Sequence, residues 1–253
     1  MKLKDKVVIL TDGSSPLGAV IAERLKQEGA IIASSGAAHA VSKKDVDGAV
    51  LSILDKYGKI DVVVHNNNEV IRANLEDCSD ELYDRALNIN LKSAFLMVQA
   101  AGVSMKAAKS GNFVFVSSIH DEKPTGAAFG YSIAKGALKM LVREMVLDMG
   151  PLNVRTNIVE AGPLEGDDEK FYSDISPLYE HTRERIVNGQ YGTMEDIANA
   201  VLFFAGNDCP AANGSELKLD GGFLLSYLLR SKKGANIKPF DPALLLELPE
   251  ARS

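Results

Sequence analysis

The sequence holds only two cysteines and no tryptophan, and these scarcities exclude several classes of protein. Cys78 and Cys209 lie far apart with no CxxC spacing, so neither a disulfide framework nor a thiolate metal site is expected. The four histidines, His39, His65, His120 and His181, show no ligand spacing, and no metal is expected among them. Positive charge is also in short supply. With 28 basic residues against 34 acidic ones the net charge is -6, which leaves no footprint for phosphate backbones or anionic lipid, so nucleic acid and membrane surfaces are not expected partners. No run approaches the roughly 18 to 20 apolar residues of a membrane span. The opening MKLKDKVVILTDG has an apolar core of four residues before Thr11, too short for a signal peptide, and the expected location is the cytoplasm.

What is present is an alternation. Short β-branched runs take turns with longer helical patterns: VVIL at 7–10, LGAVIAERLKQEG, AIIAS, AVLSILDKYG, then DVVVH at 61–65. The order continues through an amphipathic stretch from Glu81 to Lys109, FVFVSS at 113–118, the helix-like YSIAKGALKMLVREMVLDMG, NVRTNIVEA, MEDIANAVLFFAG and SELKLDGG. Such alternation predicts an α/β fold, a Rossmann-like doubly wound parallel sheet with helices on both faces. A turn rich in small residues, TDGSSPLG at 11–18, follows the first strand and places the ligand crevice at the carboxyl ends of the strands. One domain is expected over 1–222. A charged segment at about 164–190 reads as a loop or short-helix lid. The tail, 223–253, begins and ends apolar and is expected to make an oligomer contact.

Tyr131 and Lys135 stand as YSIAK on a predicted helix, four residues apart and therefore on one face. A phenol titrates near 10, and a neighbouring ammonium that favours phenolate makes it a useful proton donor or acceptor at neutral pH. Ser118, at the end of the FVFVSS run, can reach the same crevice and hydrogen-bond a substrate oxygen. Asn90, in NINLK, can orient a water or backbone group behind the lysine.

With these residues in order, the chain resembles a short-chain dehydrogenase/reductase of the single-domain type over residues 5–222. The matching features are Asn90 in NxNL, Ser118, the YxxxK pair, Gly162-Pro163, the EDIA helix start at 195–198 and Asp220-Gly221-Gly222. The resemblance implies that Ser118 positions a carbonyl or alcohol, Tyr131 moves the proton, Lys135 lowers the tyrosine pKa and holds a nicotinamide ribose, and Asn90 supports a proton relay. It implies NAD or NADP as the hydride carrier, with Thr11, Gly13, Leu17, Gly18, Asn66 and Gly162 as the cofactor contacts.

The cofactor side departs from that resemblance. In the pattern TGxxxGxG, Asp12 and Pro16 replace two glycines. Asp12 adds a carboxylate where a diphosphate would lie; like charges about 4 Å apart cost roughly 1 kcal/mol in water and about 4 at a surface-like dielectric. Pro16 offers no N–H, although proline suits a helix's first turn, which Asp12 or Ser14 could cap. After AIIASSGAAH no Asp or Arg stands near Gly36 to read a ribose, and only 26 residues separate Ser34 from Asp61. The crossover between strands 2 and 4 of the resembled fold is therefore expected to be shortened. The NNAG element reads His65, Asn66, Asn67, Asn68, with large side chains for small ones.

Three functions follow as expectations. The first is a subunit with a weakened NAD(P) site, paired in a hetero-tetramer with a homologous active subunit, as in the family's heteromeric hydroxyacyl thioester dehydrogenases, including that of the benzylsuccinyl-CoA pathway. The association would run through helices near 81–109 and 131–149. The second is an autonomous, self-associating alcohol dehydrogenase or ketone reductase using Ser118, Tyr131, Lys135 and Asn90. The third is a protein that binds a small molecule under the lid without turnover.

Overall fold

A computed structural model of the chain describes residues 1–34, 42–124, 126–166 and 182–226. Its first strand, β1 (Val7–Leu10), is four apolar residues with both faces covered, as a strand inside a parallel sheet requires. The strands β2 (Ile31–Ser34), β3 (Val62–His65), β4 (Gly111–Ser118), β5 (Val154–Ala161) and β6 (Glu216–Leu219) join it, every pairing parallel, in the order β2-β1-β3-β4-β5-β6.

Alternate strand residues serve opposite layers, because successive side chains point to opposite faces. Val7, Ile9, Val63, Phe113 and Phe115 pack against α2 (Lys43–Tyr57), α4 (Ser93–Ala108) and α5 (Phe129–Met149). Val8, Leu10, Val62, Val64 and Val114 pack against α1 (Pro16–Gln27) and α7 (Met194–Ala205). Two shorter helices, α3 (Asp80–Leu87) and α6 (Thr182–Arg185), complete the set among the described residues.

The chain runs from β1 outward to β2, then returns to β3 on the other side of β1. That reversal opens a crevice beyond the carboxyl ends of β1 and β3. Within the described residues only α2 lies between β2 and β3, and β2 is the sheet's edge, in agreement with the short spacing from Ser34 to Asp61.

The stretch from Glu81 to Lys109 is not one helix. It breaks at Asn88–Lys92 into a π turn, where two side chains capture main-chain carbonyls four residues back: Asn90 Nδ2 donates to Ala86 O at 2.9 Å and Ser93 Oγ to Ile89 O at 2.6 Å. Side chains that compete for the helical acceptors widen the turn. Of the lid, Leu164 bridges to Gly192 and α6 is a single short helix; 167–181 lie outside the described residues. Of the tail, Phe223–Leu225 forms one 3-10 turn, and 227–253 lie outside them. Gly36 lies outside them too. Among the described residues no helix is long and apolar enough to cross a membrane.

Candidate active site

The turn after β1 is built by close backbone approach. Gly18 is buried at the start of α1, where an added Cβ would lie 2.1 Å from Asp12 O, so only glycine fits. Asp12 takes φ 49°, a left-handed value more often given to glycine. The cap of α1 is Ser15, not Asp12 or Ser14: its Oγ accepts the Gly18 N–H at 3.1 Å and donates to Asp12 O at 2.8 Å. The reason is Pro16 at the first helical position, which makes the residue before it the cap, while Asp12 is spent in forming the turn.

The other expected cofactor residues are tied into the surrounding structure to different degrees. Thr11 Oγ1 accepts the Asn66 N–H at 2.9 Å and ties β1 to β3. Leu17 packs against the core layer of α1 and α7. At Gly13 an added Cβ would meet only ordinary contacts with Leu10. Gly162 is required by crowding, since its Cβ would lie 2.5 Å from Asp220 Cα. Asn66 is buried and donates to Ser15 Oγ at 3.3 Å, while its Oδ1 has no hydrogen-bond partner.

Of the four expected catalytic residues, two lie one turn apart on the same face of α5. Tyr131, in the first turn of α5, is 2% exposed, and one turn on Lys135 is 0% exposed with its Nζ 5.5 Å from the Tyr131 ring centre. Burial pushes the Lys135 ammonium down to about 7, against a smaller upward pull from the Asp121 charge. Its Nζ donates to Asn67 O at 3.3 Å. Asn90, wholly buried, accepts the Glu69 N–H at 3.0 Å and donates to Glu69 O at 3.0 Å, so it fixes the segment after β3 whose Asn67 carbonyl holds the lysine. Ser118 ends β4, and its Oγ accepts the His120 N–H at 3.3 Å. The His120 ring stands edge-on to Tyr131 at 6.3 Å, which brings Ser118's turn to the phenol.

Three sets of contacts were not anticipated from the sequence, which marked His65 and Asn68 only as large side chains at and just past the end of β3. Asn68 makes one: Tyr131 Oη donates to its Oδ1 at 2.9 Å. His65 makes another, wholly buried, with Nε2 2.9 Å from Ser93 Oγ and its pKa pushed down to about 3 by burial and then by Lys135, so it stays neutral. The third lies one further turn along α5, where Lys139 Nζ meets Glu160 at 2.8 Å, Glu122 at 2.8 Å, Glu216 at 3.2 Å and Asp121 at 3.6 Å. Lys218 and Arg143 bind the same group. Four carboxylates face three cations, and the Asp121 carboxyl is pushed up to about 7 by burial and then by the Glu160 charge. Asp121, Glu122 and Glu160 are close enough to hold a metal ion, but the lysines fill that place. The spacing of Lys139 four residues after Lys135 was the available signal.

A parallel sheet with a switch point, a glycine-tight turn and a buried Tyr–Lys pair packed against the segment that leaves β3 define a Rossmann-like scaffold. Residues 7–224 match the family described as enoyl-(acyl carrier protein) reductase. Cyclopentanol dehydrogenase of Comamonas sp. is 27% identical over 245 residues, spanning 88% of this chain and 98% of that protein. A 2-dehydro-3-deoxy-D-gluconate 5-dehydrogenase of Pseudoalteromonas atlantica is 25% identical, spanning 88% and 97%. Among solved structures, a short-chain dehydrogenase/reductase of Serratia marcescens aligns with TM-score 0.78 at 27% identity over 88% of this chain and 99% of that one. An NAD+-bound xylitol dehydrogenase aligns with TM-score 0.81 at 24% identity over 88% and 100%, and shares the fold. The chain belongs to the short-chain dehydrogenase/reductase family, a family of oxidoreductases.

Proposed function

We propose that this chain is the weakly nucleotide-binding subunit of a heteromeric NAD-dependent dehydrogenase, working beside a homologous active subunit on an alcohol or hydroxyacyl thioester. The observation that carries this reading is the donor set of the turn after β1. Phosphate sites at helix N-termini rely on free N–H groups and the positive end of the helix. Here Pro16 supplies no N–H, Ser15 Oγ takes the Gly18 N–H, and Asp12 adds a negative charge. The residues suit a diphosphate poorly, and β2 as the sheet's edge leaves the adenosine side without a further strand among the described residues. Phe95 and Val103 on α4 and Met140 and Leu147 on α5 are exposed, an apolar face suited to a homologous partner.

Calorimetric titration with NAD(H) and NADP(H), at protein concentrations that detect millimolar binding, is the test. No binding, together with activity on co-expression with a homologous subunit, is the expected result. Micromolar binding to the chain alone would reject the proposal and favour a second reading, an autonomous dehydrogenase acting on alcohols or ketones. That alternative is supported by the packed Tyr131–Lys135 pair with Asn90 behind it and Ser118 beside it. Under it, Tyr131→Phe abolishes turnover by the chain alone; under the first reading the same substitution leaves the complex's activity largely intact.

A further inference from the structure

The phenol of Tyr131, the proton-handling group that membership of the family implies, is 2% exposed. Its Oη donates at 2.9 Å to the side-chain oxygen of Asn68, a residue that is itself exposed and sits just past the end of β3. The amide oxygen of Asn68 is chemically an amide carbonyl, an acceptor of the same kind as the oxygen of a ketone or thioester. The rest of the segment is held on both sides. Asn67 O receives Lys135 Nζ, and the Glu69 main chain is clasped by Asn90 through two bonds of 3.0 Å. Asn68 therefore hangs from a fixed piece of backbone, with its side chain aimed at the phenol. No left-handed φ binds this position to a particular residue, so its identity is free to vary without strain.

We propose that Asn68 masks Tyr131: its carboxamide oxygen occupies the acceptor position on the phenol that an incoming carbonyl or alcohol oxygen must take. Any such ligand must first displace the carboxamide. One net hydrogen bond exchanged in this way lowers apparent affinity by roughly three- to tenfold. The mask works in either functional setting, in a resting subunit as a standing block and in an autonomous enzyme as a selectivity step that favours stronger acceptors. The inference rests on Tyr131 as the proton-handling group of the pocket but not on whether nucleotide binds.

The test is acylation of the full chain by N-acetylimidazole without nucleotide, with peptide mass spectrometry reading each tyrosine. Tyr57, half-buried on α2, serves as a remote internal reference, and Tyr83, half-buried on α3 against Gly130, as a local one. Tyr131 should be protected in the parent chain. In Asn68→Ala, which lacks the acceptor, its acylation rate should rise about tenfold while the references stay constant. In Asn68→Asp, which keeps an oxygen acceptor, protection should persist, and this variant separates loss of the bond from loss of the fold. An unchanged Tyr131 rate in Asn68→Ala, or equal rates in the Ala and Asp variants, overturns the proposal. Neither result depends on the nucleotide titration, so the mask and the subunit reading fail or stand separately.

Discussion

Replacing Lys135 by methionine should make the protein more stable at pH 6 and remove a rise in stability that the parent shows at higher pH. Lys135 is 0% exposed, and its ammonium finds a main-chain acceptor only at 3.3 Å, Asn67 O. Burial holds it at about 7, against an ordinary 10.5. Between those values the unfolded chain carries the proton and the folded chain does not. Native stability therefore climbs with pH across that window, and the full cost of burying the charge is present below about 7. Across the roughly 3.5 pH units between about 7 and 10.5, at about 1.4 kcal/mol per pH unit, the difference amounts to at most about 5 kcal/mol. Methionine matches the length and carries no charge, so Lys135→Met lacks this dependence. Urea denaturation at pH 6, 7.5, 9 and 10 measures it through the difference between variant and parent, which cancels other titrations. The advantage of the variant should be largest at pH 6 and shrink by about 2 kcal/mol or more by pH 10. A difference that stays constant with pH, or grows, would refute the account of Lys135 as a group held mainly by burial.

Other consequences concern the cluster behind it and the turn. Lys139→Met leaves Glu160 buried beside Asp121 with its main cation gone, so thermal or urea denaturation should show a loss of about 3 kcal/mol or more, with much of it recovered in the double variant Lys139→Met/Glu160→Gln. Asp121, pushed up to about 7 by burial first and Glu160 second, binds its proton more tightly folded than unfolded. It therefore makes stability fall as pH rises from about 4 to 7, and Asp121→Asn should flatten that slope in a pH series of melts. Gly18→Ala forces a Cβ to 2.1 Å from Asp12 O and should cost about 2 to 3 kcal/mol in chemical denaturation; an unaltered midpoint would mean the turn is not the rigid element described.

Much of the architecture was legible in the residue order. VVIL, VVVH and FVFVSS are continuous apolar runs because each strand is covered on both faces, and the missing segment between Ser34 and Asp61 could be counted. The Tyr131–Lys135 relation was legible as well, since four residues along a helix share a face. The break at Asn88–Lys92 was not, because it depends on where the Asn90 and Ser93 side chains find acceptors. The cap was misplaced by one or more residues, since Asp12, Ser14 and Ser15 are all good capping types and only the path around Pro16 chooses among them.

The amino-acid order by itself determined the layered α/β fold, the placing of the crevice at the carboxyl ends of the strands and the family, because hydrophobic period and spacing are local properties written along the chain. Tertiary structure alone decided what the site's groups can do. Asn68 lies 63 positions from Tyr131 and Glu160 comes from β5 rather than α5, so the hydrogen bond on the phenol and the charge balance behind the lysine exist only once distant strands and helices are packed. Burial set the charge on Lys135 in the same way, since a side chain's distance from water is a property of the whole fold and not of its neighbours in sequence.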